Sequence, residues 1–134
     1  MKKFDQYCSS LQVLSRAPQE DLDNEFVLGG IINKFSLQFE LGWKLLKELL
    51  AYEGRSEAAS GSPREILKTA FVLYDFLDED IWLGMLKNRN NINHIYDETQ
   101  ARRLAKVVLE TYLPAFQQLR DPLAQRYAGQ LDTL

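Results

Sequence analysis

Apolar side chains recur along most of the chain at intervals of three and four residues, and no stretch keeps the apolar–polar alternation of a strand. The pattern predicts an all-α fold of five helices. The first runs from about Lys3 to Ala17, with Phe4, Tyr7, Cys8, Leu11, Leu14 and Ala17 at helical spacing, until Pro18 breaks it. Gln19 to Asn24 is acidic and polar, a loop or the start of the next helix. The second helix is long, from about Asp23 to Tyr52. It carries one apolar set that includes Leu28, Ile31, Ile32, Phe35, Phe39, Gly42, Trp43, Leu46, Leu49 and Leu50, and another at Leu37, Leu41 and Leu45. One apolar stripe needs one partner surface; two stripes place this helix at the centre of a bundle or against a second copy of the chain. Gly29-Gly30 costs this helix about 2 kcal/mol relative to alanine, which suggests close helix approach or a local kink.

Glu53-Gly54 ends the second helix, and residues 55–61 read as a small, polar, flexible loop. Ser62-Pro63-Arg64-Glu65 then combines an N-cap serine, a proline at the first helical position and the glutamate of a capping box. The third helix extends to about Tyr74, burying Ile66, Leu67, Ala70, Phe71 and Leu73. Asp78-Glu79-Asp80 opens the fourth with acids at its positive end, and Asp97-Glu98-Thr99-Gln100 is a second capping-box pattern that places a break after Tyr96. The last long helix buries Ala101, Leu104, Ala105, Val108, Leu109 and Tyr112. Pro114 should kink or end it, and the tail from Asp121 reads as a short helix or a frayed end. Five helices with short connections pack most simply as an antiparallel up-and-down bundle.

At 134 residues, one domain covering 1–134 with a single core is expected. The net charge of −3 gives no global attraction to nucleic acid or acidic membranes, so such a partner would need a local basic patch. The N-terminus lacks the apolar core of a signal peptide, and no apolar run approaches the roughly 20 residues needed to span a bilayer. A soluble cytoplasmic domain with no membrane partner is the expectation. The single Cys8 excludes an intrachain disulfide and a cysteine-rich zinc site.

Against this ordinary background one stretch stands out, Arg89-Asn90-Asn91-Ile92-Asn93-His94-Ile95-Tyr96, which holds the sole histidine and three asparagines. Continued as a helix, it would bring Arg89, Asn93 and Tyr96 within roughly 60° of each other, with Asn90 and His94 in the adjoining stripe. Asparagine is a poor helix former, so helix propensity did not choose these residues. Arginine beside imidazole suits a phosphodiester, the first holding phosphoryl oxygens and the second moving protons near neutral pH. One histidine per chain supplies one such group, and a symmetric dimer would supply two, enough for metal-free RNA cleavage. The plainer reading is a helix end, where histidine and asparagine are both common. Metal chemistry has less support: the ligand types are sparse, and Asp78, Glu79 and Asp80 are better explained as a helix start. No metal and no cofactor is expected. Cys8 lacks an activating base, Trp43 and Trp82 read as core or dimer packing, and Glu40 and Lys44 read as a surface pair.

Arg89, His94 and Tyr96 match R-x4-H-x-Y, the signature of HEPN-type helical proteins. The run from Trp82 to Asp97, Phe39 to Lys47 in the long helix, and Ser62-Pro63-Arg64-Glu65 more specifically resemble the nucleotidyltransferase substrate-binding protein family. These matches cover about the central two-thirds of the chain. The resemblance implies a five-helix up-and-down bundle that forms a homodimer and pairs with a separate small nucleotidyltransferase encoded nearby. The helical subunit would bind substrate, with Asn90, Asn93 and Tyr96 among its binding residues, while the partner holds nucleotide and metal. Related HEPN proteins, the HepT-type toxins, imply an alternative: a metal-independent endoribonuclease in which Arg89 and His94 cleave RNA at a dimer cleft. Their partner nucleotidyltransferase neutralises them, and the tyrosine corresponding to Tyr96 can be modified with AMP. A third reading is an interaction domain in which Arg89 and His94 only tie helices together.

Overall fold

The computed structural model describes residues 1–55 and 60–131; residues 56–59, in the expected loop after the long helix, lie outside it. The described residues are helical, with no strand among them. α1 spans Lys2–Leu14, α2 Glu25–Tyr52, α3 Pro63–Leu73 and α4 Glu79–Asn90. α5 (Glu98–Val107) and α6 (Leu113–Arg126) are joined without a break by a π turn at Val108–Tyr112, so they form the fifth helix together.

Helix starts fall where capping chemistry sets them. Asn24 accepts from the Phe26 and Val27 N–H groups, Ser62 from Glu65 at 3.3 Å, Asp78 from Ile81 at 3.1 Å, and Asp97 from Gln100 at 2.8 Å. Each side-chain oxygen replaces a missing intrahelical acceptor. The start of α2 is therefore Glu25 rather than Asp23, and α1 stops at Leu14 before a 3₁₀ turn at Ala17–Gln19 that contains Pro18.

α2 is the central helix, packing against α1, α3, α4 and α5. Phe35, Phe39, Leu46, Leu49 and Leu50 of its main stripe are fully buried, as is Leu45 from the second set. Burial of each such side chain stabilises the fold by about 1.5–3 kcal/mol. Gly42 permits a close approach, since a Cβ there would meet Tyr7 Cε2 at 3.3 Å and Trp82 Cη2 at 3.4 Å. Gly29 and Gly30 do not serve that purpose. Both are exposed in an uninterrupted helix, and a Cβ at either would meet nothing within 4 Å.

Polar contacts tie the helices at three points. Tyr7 donates its hydroxyl to the Phe116 carbonyl at 2.7 Å, and Gln38 Nε2 donates to the Tyr7 carbonyl at 3.1 Å, which links α1, α2 and α6. Arg102 on α5 reaches the Leu22 carbonyl at 2.9 Å and the Asp23 carboxylate at 3.0 Å, pinning the approach to α2. Tyr74 and Tyr127 share a hydrogen bond of 2.7 Å, and Tyr127 donates onward to Glu53 at 2.9 Å. The Met1 amine also meets the Leu131 carbonyl.

Pro114 and the tail depart from expectation. Pro114 does not end the helix; it lies in the first turn of α6, directly after the π turn. Proline lacks a donor and crowds the carbonyl four residues back. The π turn directly before it widens the local pairing to five residues, which gives the proline ring room against the preceding turn. From Asp121 to Tyr127 the tail is neither separate nor frayed: α6 runs through Pro122 to Arg126, and Tyr127 is buried; residues 132–134 lie outside the described residues. Among the described residues no helix is long and apolar enough to cross a membrane.

Candidate functional site

The polar stretch does not continue α4 to Tyr96. The helix ends at Asn90, Asn91 leaves the helical conformation at φ −100° and ψ 8°, and Ile92–His94 form a 3₁₀ turn. Ile95 is extended, and Asp97 caps α5. The cause is local and tertiary together. Asparagine competes for backbone hydrogen bonds, while half-buried Ile92 and Ile95 pack against the core and draw the chain off the helical path. So Arg89 and Asn90 sit on the last turn of α4, Asn93 and His94 in the 3₁₀ turn, and Tyr96 on the link to α5. The single helical patch expected from periodicity does not form.

Two neighbouring grooves take its place. The first, about 720 Å³, lies between the start of α3 and the end of α4 and is lined by residues that include Ser62, Arg64, Lys87, Arg89, Asn90 and Asn91. The second, about 530 Å³, is lined by Asn88, Asn91, His94, Ile95, Gln100, Arg103, Leu104 and Val107. Asn91 lines both grooves. Arg89 and His94 are thus separated within one chain, and Asn93 lines neither groove.

Arg89 is held from α2. Its Nη1 lies 3.3 Å from Glu40 Oε2, and its Cζ lies 5.5 Å from the centroid of the buried Phe39 ring. Glu40 also receives Trp43 Nε1 at 3.1 Å and pairs with Lys44 at 3.4 Å. The Glu40–Lys44 pair exists, but Glu40 is more than a surface charge because it neutralises the arginine of the motif. Arg89 Nε is buried and has no hydrogen-bond partner among the described residues.

His94 is exposed, and its Nδ1 lies 2.9 Å from the Tyr96 hydroxyl. The Tyr96 side chain is 77% exposed, yet its backbone is fixed because its N–H donates to Gln100 Oε1 at 2.8 Å. Gln100 closes this box on Tyr96 rather than on the cap residue Asp97. In the second groove, Asn88 Nδ2 donates to the Tyr112 hydroxyl at 2.6 Å and joins α4 to the π turn. Burial pushes the Tyr112 hydroxyl above its ordinary range, which keeps it a neutral acceptor here.

Sequence reasoning placed Phe39 in the apolar stripe without its role beneath Arg89, missed Asn88 and assigned Glu40 a lesser place. No spacing rule connects α2 to the end of α4, so only folding reveals the Glu40–Arg89 pair. Elsewhere, Trp82 is buried in the core, whereas Trp43 is half-exposed. Cys8 is half-buried, and burial raises its thiol pKa, which leaves it protonated and weakly nucleophilic at neutral pH. Among the described residues no three His, Cys, Asp or Glu side chains cluster as a metal would require.

The sequence profile of a family described as "Nucleotidyltransferase substrate binding protein like" matches residues 2–125. No curated protein gives a significant match.

Proposed function

Because the chain belongs to the nucleotidyltransferase substrate binding protein like family, we propose that it is the helical, substrate-binding subunit of a two-component system. Its partner is a separate small nucleotidyltransferase that supplies nucleotide and metal. The observation that carries this reading is the state of Arg89. Its guanidinium is ion-paired to Glu40, rests on Phe39 and lines a different groove from His94. A cleaving pair needs both groups at one phosphodiester, whereas a binding subunit needs shaped grooves on a rigid frame. The helices are taken to run up and down, antiparallel, and the chain to act as a cytoplasmic homodimer. Co-expression with the nucleotidyltransferase encoded beside it tests the reading: a stable complex of the two chains is expected, and two chains that elute separately would overturn it.

A second reading is supported by the exposed His94–Tyr96 pair. In a homodimeric ribonuclease toxin, Arg89 and His94 of each chain would line a shared cleft, and RNA would be cleaved without metal. The partner enzyme would then silence the toxin through Tyr96. The phenolic oxygen attacks the α-phosphorus of ATP, pyrophosphate leaves, and His94 Nδ1 accepts the hydroxyl proton. Incubating the chain with RNA and chelator, beside His94→Ala, decides the nuclease question; uncut RNA removes this reading for that RNA. Intact-mass measurement after incubation with partner and ATP checks Tyr96, with Tyr96→Phe as control.

A further inference from the structure

We propose that the groove between the start of α3 and the end of α4 is a phosphate site, in which Arg64, Lys87 and Arg89 hold the phosphoryl group of a mononucleotide-sized phosphomonoester. This rests on the substrate-binding reading and names the class of ligand. The volume of about 720 Å³ falls in the range of roughly 300–1,000 Å³ usual for small-molecule sites. The lining contains Arg64, Lys87 and Arg89 and no carboxylate. In a chain of net charge −3, three cations at one concavity with no acid in the lining are an uneven distribution, even with the charge of Arg89 offset by Glu40 on α2. They make a local field that draws anions.

Arg64 and Lys87 are exposed and have no ion-pair partner among the described residues. Lys34, Arg103, Lys106 and others have none either, so what sets these two apart is their place together in one groove. Arg89 is held to Glu40 through Nη1, and its Nε is sealed from solvent. A phosphoryl oxygen is the acceptor that guanidinium geometry suits best, and the exposed Arg64 offers that fork to a ligand. Asn90 adds a neutral amide, and Leu83 and Leu86 give an apolar wall for the rest of the ligand. The groove lies apart from His94, so it needs no second copy of the chain to be complete.

Calorimetric titration of the purified full chain with AMP, adenosine and inorganic phosphate tests the site. AMP should bind, inorganic phosphate should compete with it more weakly, and adenosine should bind at least about tenfold more weakly than AMP, the scale of a charge-assisted hydrogen bond. Arg64→Gln and Lys87→Gln should each weaken AMP binding by about tenfold, with the double variant weaker still. Circular dichroism checks that these exposed substitutions leave the fold intact. Lys106→Gln, on α5 outside the groove, is the matched loss of charge and should bind AMP as the unaltered chain does. Adenosine binding as tightly as AMP, phosphate binding as tightly as AMP, or a double variant that binds normally would each overturn the assignment. So would the absence of AMP binding at millimolar concentration. A chain that forms the nucleotidyltransferase complex yet binds no AMP sinks this proposal alone. A chain that binds AMP through these cations yet never meets a nucleotidyltransferase sinks only the two-component reading.

Discussion

Gly42 and the pair Gly29-Gly30 sit in one helix, α2, and respond to opposite forces. At Gly29 and Gly30 an added Cβ enters open space, so alanine gains helix propensity without a steric cost. Each Gly→Ala change there should stabilise the chain by about 0.5–1 kcal/mol in urea unfolding. At Gly42 the same Cβ meets Tyr7 and Trp82, both buried, and the Tyr7 hydroxyl is fixed to the Phe116 carbonyl. Neither ring can yield cheaply, and overpacking costs about 1–3 kcal/mol. Gly42→Ala should therefore be net destabilising, and equal or higher stability would refute the tight-contact account. Glu40 gives a test of the same kind. It is a third exposed and shared among Arg89, Lys44 and Trp43, so Glu40→Gln should change stability by less than about 1 kcal/mol. Because it frees Arg89, it should tighten AMP binding severalfold in calorimetry.

Element by element, helix existence was legible in the chain because amphipathic spacing and capping residues act locally. Ser62, Asp78 and Asp97 fix helix starts where a reader of the sequence would put them. Asp97→Ala should cost about 1 kcal/mol in denaturant unfolding, because the Gln100 N–H would lose its acceptor. What was not legible depends on contacts between distant segments. Arg89, Asn93 and Tyr96 keep helical spacing, yet Ile92 and Ile95 seek the core and end α4 early. Pro114 announces a break, but no local signal says that a π turn will absorb it. Glu40 meets Arg89 only because α2 and α4 pack together. The grooves share that origin, since each is walled by two helices whose residues carry no common motif. The motif residues themselves were legible; their separation into two grooves was not.

Across the whole molecule, buried tyrosines set the response to alkali. Tyr7, Tyr74, Tyr112 and Tyr127 all have hydroxyl pKa values raised above the ordinary range, with burial as the first cause in each. The unfolded chain releases these protons near pH 10 while the folded chain keeps them. Above that pH the unfolded state binds fewer protons, so stability falls as pH rises; below it the contribution is fully present. Melting temperature should be nearly level between about pH 7 and 9 and should drop steeply from about pH 10 upward. Tyr127→Phe should lower stability at neutral pH, because Tyr74 and Glu53 lose a partner, and should also make the alkaline decline shallower. A decline of unchanged steepness would remove Tyr127 from the account. The two tryptophans add an optical consequence. Trp82 is sealed in the core, while half-exposed Trp43 is bonded through its indole N–H to Glu40. Their fluorescence should separate into a blue component that reports global unfolding and a redder one that reports the electrostatic state of Glu40. Any ligand or partner that draws Arg89 away would then register in the red component alone, so the chain carries its own label-free gauge of occupancy.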